Sequence, residues 1–190
     1  MPLKNDSKRY GSMSRALHWA IALFTIAAIV FVELHGLFPK GSEPREAVKF
    51  LHIQLGLLVF GLTWLRLAWR SANPPPAITP PPQAWEARLA TLMHVALYAA
   101  MLALPVLGVA MAQAGGKPLA FLGVPLPVFL GEDKALGKAL KEAHELIGNV
   151  AIGLIALHAL AAFWHHFVKR DDTLARMLPE WLAGMGQARR

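Results

Sequence analysis

The chain has 190 residues, of which 55% are hydrophobic and only 16% charged; its formal net charge is +7 and it has no cysteine. A typical soluble domain carries about 25% charged residues, so the composition points away from the soluble class, and without thiols there are no disulfides and no thiolate-bound metals. The basic residues cluster at the ends of long apolar runs, so membrane lipid headgroups are the expected partner and nucleic acid is not.

Four apolar runs, about 17–35, 50–70, 89–112 and 143–168, each reach the roughly 20 residues that a bilayer-crossing helix needs. Together they predict an all-α fold, an integral membrane four-helix bundle forming a single membrane domain over residues 1–190. The first run, HWAIALFTIAAIVFVELHG, follows Lys4, Lys8, Arg9 and Arg15. Its apolar part is too long for the h-region of a signal peptide and no small-residue cleavage site follows, so it is expected to stay as a span. The second run opens at His52 and closes with Arg66 and Arg70. The loop after it, SANPPPAITPPPQAW, has six prolines in two triplets and predicts a stiff extended linker. The third run opens at His94 and contains Pro105, where a kink is expected. In the long loop 113–143 the stretch GEDKALGKALKEAHE is expected to form a helix running into the fourth span, which carries His144 and His158 and ends at His165 and His166.

Four spans place both termini on one side. Twelve Lys and Arg lie in 1–15, 66–90 and 169–190, against seven in 36–50 and 113–143. The positive-inside rule then predicts a multi-pass membrane protein with both termini and the proline loop in the cytoplasm. Trp19, Trp64, Trp69, Trp85 and Trp164 fall near the proposed cytoplasmic ends, as an aromatic belt requires.

An ionisable side chain at membrane depth is costly and marks a functional site by default. His144 and His158 are 14 residues apart, about 21 Å along a helix and within about 40° of the same face. His18 begins the first span at the depth of His158, and His52 begins the second at the depth of His144. Two stacked pairs follow, His18 with His158 and His52 with His144. A low-spin haem takes one histidine on each face, and helical bundles commonly house such cofactors. Zinc would want three or four clustered ligands. The expected cofactors are therefore two haem b, with iron bound by these four histidines. Gly56 and Gly148 each follow a ligand by four residues and leave room on its face. Arg66, 14 residues after His52, and Arg70, one turn on, are placed to pair with the propionates of the His18–His158 haem.

The chain resembles the bacterial cytochrome b-561 proteins through RALHWA, FLHIQLG, LRLAWR followed by prolines, MHVALY, AHELIG with LHALAAFWHHF, and the terminal DDTLARMLP. The resemblance covers essentially the whole chain. It implies a four-helix di-haem membrane protein with ligands at His18, His52, His144 and His158. The short stand-alone members look like superoxide oxidase, which implies electrons passing from periplasmic superoxide through two haems to ubiquinone. Lys49 and Lys141, three residues before His52 and His144, would then help attract the anion. His94, and second to it His165, would hydrogen-bond ubiquinone or hand it a proton. No obligatory protein partner is evident. Two other readings compete: a cytochrome b subunit linking a separate dehydrogenase to quinone, and, from a different class, a histidine-lined metal transporter.

Overall fold

The computed structural model describes residues 2–7 and 9–178. Lys8, Pro179, Arg189 and Arg190, which entered the charge count or the motifs above, lie outside the described residues. Four long helices dominate: α1 (Ser12–His35), α2 (Glu43–Ala72), α3 (Ala84–Ala114) and α4 (Lys134–Trp164). A two-residue antiparallel pair, β1 (Ala120–Phe121) with β2 (Val124–Pro125), lies between α3 and α4. After α4 come a π-helical turn, His165–Lys169, and a 3-10 turn, Ala175–Met177. Each long helix is long and apolar enough to cross a membrane. Leu23, Ile26, Val95 and Leu160 are each more than half exposed, as side chains facing lipid should be. The chain is thus an all-α membrane protein of four spans.

The helices begin earlier than the apolar runs do, because their first turns are polar. In α2, Glu43 and Glu46 place negative charge at the positive end of the helix, and Pro44 is tolerated in a first turn whose N–H groups have no helical partner. In α3 the Glu86 carboxylate reaches back to accept the Gln83 N–H at 2.9 Å, half of a capping box. In α4 Asp133 caps: its side chain accepts the Leu136 N–H at 3.0 Å and its carbonyl the Gly137 N–H at 2.8 Å. The lead-in helix expected from GEDKALGKALKEAHE is therefore continuous with the fourth span. Gly116, at φ +70°, ends α3 in the left-handed turn that favours glycine.

The chain divides into two compact units, and every long helix contributes a stretch to each. Among the described residues, one draws on those up to Ala20, on Trp64–Leu97 and on 153–178; the other on Ile21–Thr63 and Tyr98–Ile152. In the first unit three non-helical segments are stitched together. Asn5 donates to the carbonyls of Asn73 and Pro74 and accepts from the Gly11 N–H and the Ser14 hydroxyl. Arg15 and Trp19 donate to the carbonyls of Leu178 and Met177. Arg176 donates to the Pro76 carbonyl and lies over the Tyr10 ring. All five tryptophans of the expected belt belong to this unit. In the second unit two glutamines hold the loop between α3 and α4: Gln113 binds the Pro127 carbonyl and the N–H groups of Phe129 and Leu130, and Gln54 does the same for Ala120 and Leu122. Gly137 allows α4 to start against the end of α3, since a Cβ there would lie 3.2 Å from the Gly115 nitrogen.

Candidate functional site

In the second unit, α2 carries His52 and α4 carries His144, and their ring centroids are 6.2 Å apart with planes at 80°. Each ring is oriented by a main-chain oxygen. His52 Nδ1 donates to the Ala28 carbonyl at 2.9 Å, and His144 Nδ1 to the Leu104 carbonyl at 3.0 Å. A carbonyl only accepts, so Nδ1 carries the hydrogen and Nε2 keeps its lone pair, the arrangement that metal-binding histidines use. Gly108 lies beneath His144, where a Cβ would stand 3.5 Å from its Cε1. Gly56 and Gly148 are half-buried, yet a Cβ on either would meet no atom within 4 Å. The ligand face thus has room one turn from each histidine.

In the first unit, His18 of α1 and His158 of α4 repeat the arrangement, with centroids 6.2 Å apart and planes at 73°. An iron bonded to one nitrogen of each ring, at about 2 Å per bond, separates such centroids by roughly 6 Å. The residues therefore fit a bis-histidine haem at both places. The first unit adds a third ring: His94 packs on His158 with centroids 5.6 Å apart. Arg66 donates to the Ser14 carbonyl at 3.0 Å, and its charge bears on both His18 and His158. Arg66 and Arg70 line one cleft with Tyr10, Ser14 and Trp69.

His165 opens the π-helical turn and pairs with Asp171 at 2.5 Å. Asp171 is buried. Burial pushes its carboxyl up, but hydrogen bonds from His165 and Thr173 outweigh that and hold it below the usual carboxylate range. Lys49 and Lys141 each sit beside a carboxylate, Glu46 at 3.2 Å and Glu145 at 2.6 Å, so neither presents an isolated positive charge. No cluster of three or more His, Asp or Glu suited to a metal ion occurs among the described residues.

Sequence reasoning missed the Ala28 and Leu104 carbonyls, Gly108 and Asp171. A main-chain acceptor leaves no trace in residue type. Gly108 had only its spacing of three from Pro105 as a signal. Asp171 stands in the polar DDTLARMLP segment, beyond the apolar run that drew notice to the histidines.

The prokaryotic cytochrome b561 family model matches residues 9–180. Cytochrome b561 homolog 1 of Escherichia coli (strain K12) is 38% identical over 171 residues, covering 90% of this chain and 97% of its own. The probable superoxide oxidase CybB of Yersinia pestis is 32% identical over 173 residues, covering 91% and 97%. Cytochrome b561 homolog 2 of Escherichia coli (strain K12) is 30% identical over 186 residues, covering 94% and 95%. With four apolar helices and histidines in facing pairs, the chain belongs to the prokaryotic cytochrome b561 family, haem b proteins of membrane electron transfer.

Proposed function

We propose that this protein is a superoxide:quinone oxidoreductase holding two haem b groups, one between His52 and His144 and one between His18 and His158. The observation that carries the reading is the pair of 6.2 Å imidazole separations. The likeness to a probable superoxide oxidase favours the substrate. When bound, the haems supply one-electron transfer. Two superoxide anions each give up one electron and leave as dioxygen; one ubiquinone gains two electrons and two protons and leaves as quinol. The Ala28 and Leu104 carbonyls keep one pair of imidazoles in the metal-binding tautomer. Arg66 and Arg70, which line one cleft, would pair with propionates of the other haem. Lys49 and Lys141 belong to the face that meets superoxide. His94 and His165 serve ubiquinone, by hydrogen bond or proton transfer. The excess of Lys and Arg beside the termini and the proline loop supports a cytoplasmic position for these segments. Membership of a haem family leaves the metal-transporter reading without support.

The test is stopped-flow absorbance on the detergent-solubilised holoprotein. Superoxide should reduce the haem and added ubiquinone should reoxidise it. If superoxide leaves the haem oxidised while quinol reduces it, the reading falls to the rival: a cytochrome b subunit served by a separate dehydrogenase.

A further inference from the structure

Beyond Trp164 the chain makes one π-helical turn, His165–Lys169. π-Helical turns are rare and frequent at functional sites. Arg170 then takes a left-handed conformation, φ 56°, which a residue with a Cβ seldom adopts. The N–H groups of Arg170 and Asp171 both close on the His165 carbonyl. This reversal lays the Asp171 carboxylate against a ring six residues earlier, with Nδ1 and Oδ2 2.5 Å apart. The two side chains are 20% and 4% exposed. The second carboxylate oxygen accepts the Thr173 N–H at 2.9 Å. Main-chain bonds already terminate the helix, so the carboxylate is not needed to close the turn.

We propose that Asp171 is a positioning residue for proton exchange at His165: its carboxylate holds the ring in the Nδ1–H tautomer and leaves Nε2 to trade a proton with a quinone oxygen. The proposal rests on the reading above in which His165 serves the quinone. A carboxylate only accepts, so Nδ1 must carry the hydrogen. In quinone reduction the Nε2–H bond breaks as a quinone O–H bond forms; the ring is left neutral with Nδ1–H intact and takes its next proton from water. The electrons are those given up by superoxide. Among the described residues, Glu86, from the first turn of α3, acts electrostatically on His165 and is itself joined to Lys169 at 2.6 Å. Asp172 faces the proline loop, its carboxylate accepting the Thr79 N–H at 3.0 Å.

Asp171→Asn separates tautomer control from packing. The Thr173 N–H needs an acceptor, so the amide oxygen stays on that side and the NH2 group faces His165. Nδ1 must then accept, and the ring's hydrogen moves to Nε2. The holoprotein is followed by stopped flow, reduced with superoxide and reoxidised with a short-chain ubiquinone. In Asp171→Asn the haem spectrum and the superoxide step should be unchanged, and reoxidation by the quinone should slow about tenfold or more. Asp171→Glu should restore part of the rate. Asp171→Asn with an unchanged quinone rate overturns the proposal. So does equal slowing of both steps with loss of haem, which marks a structural role. His165→Gln tells the two readings apart. If it leaves quinone exchange intact, the quinone assignment fails and takes the proposal with it. If it slows exchange while Asp171→Asn does not, only the positioning role fails.

Discussion

His52 and His144 each spend Nδ1–H on a main-chain carbonyl of a neighbouring helix, so only Nε2 remains for the space between the rings. In the proposed two-haem scheme, exchange of either for alanine would remove one haem ligand and strand its partner. His52→Ala and His144→Ala should therefore lose the same haem, and His18→Ala and His158→Ala the other. A pyridine haemochrome assay should return about half the wild-type haem in each single variant, with two spectral classes among the four; a His18 and a His52 variant with the same residual spectrum would sink the pairing. Asp171 gives a second expectation. Its folded carboxyl lies below the ordinary value, through hydrogen bonds from His165 and Thr173 that outweigh the opposing effect of burial. A depressed folded value contributes stability that is fully present above the unfolded carboxylate value, about pH 4, and is lost as pH falls through the folded one. Thermal melts on the acid side should fall less steeply for Asp171→Asn than for the wild type. Parallel curves would mean that the pair contributes nothing to acid stability.

At the level of the helix, periodicity and apolar length were enough to find all four spans, but not the first turns of α1, α2 and α3. EPRE at the start of α2 is too polar to read as part of a lipid-facing stretch, whereas GEDKALGKALKEAHE was legible as the lead-in to α4. Those turns depend on caps, and caps lie in single polar residues such as Asp133 and Glu86. The pairing of histidines was legible because helix pitch converts spacing along the chain into depth. The glycines were less so, since a glycine on a ligand face and one at a helix crossing look alike in sequence. Gly137 is of the second kind: a Cβ there would stand 3.2 Å from the Gly115 nitrogen and 3.3 Å from the Ala114 carbonyl carbon, main-chain atoms that cannot swing aside. Gly137→Leu should cost about 1–3 kcal/mol in detergent unfolding. Gly61→Ala, at an exposed position of α2, should cost nothing, because its Cβ would meet no atom within 4 Å. Equal losses in the two variants would contradict the packing described for Gly137.

At the scale of the whole molecule, charge decides what can be drawn to it. The +7 net charge is unevenly shared, and most of it lies beside the termini and the proline loop. On the side proposed to meet superoxide, Lys49, Lys134, Lys138 and Lys141 all stand within 4 Å of a carboxylate, at 3.2, 3.9, 3.8 and 2.6 Å. Residue type alone offered Lys49 and Lys141 as guides for the anion; their partners were legible too, since Glu46 and Glu145 lie three and four residues away on the same helix. Paired exposed charges largely cancel at a distance. An approaching anion therefore feels a weak net potential until it is within about 10 Å, the Debye length at 0.1 M salt. The superoxide step should consequently slow only about two- to threefold from low to physiological ionic strength, far less than in strongly steered encounters. Reversing both lysines nearest the His52–His144 pair leaves Glu46 and Glu145 uncompensated and makes the surface repel. Lys49→Glu with Lys141→Glu should thus slow haem reduction by superoxide several-fold, while haem reduction by quinol stays nearly constant. Stopped-flow traces at the haem bands, taken across a salt series for both reductants, report each step separately. If neither salt nor the double reversal changes the superoxide step, these lysines do not guide the anion. If the double reversal slows the quinol step as much as the superoxide step, the two reactions do not use separate faces of the protein.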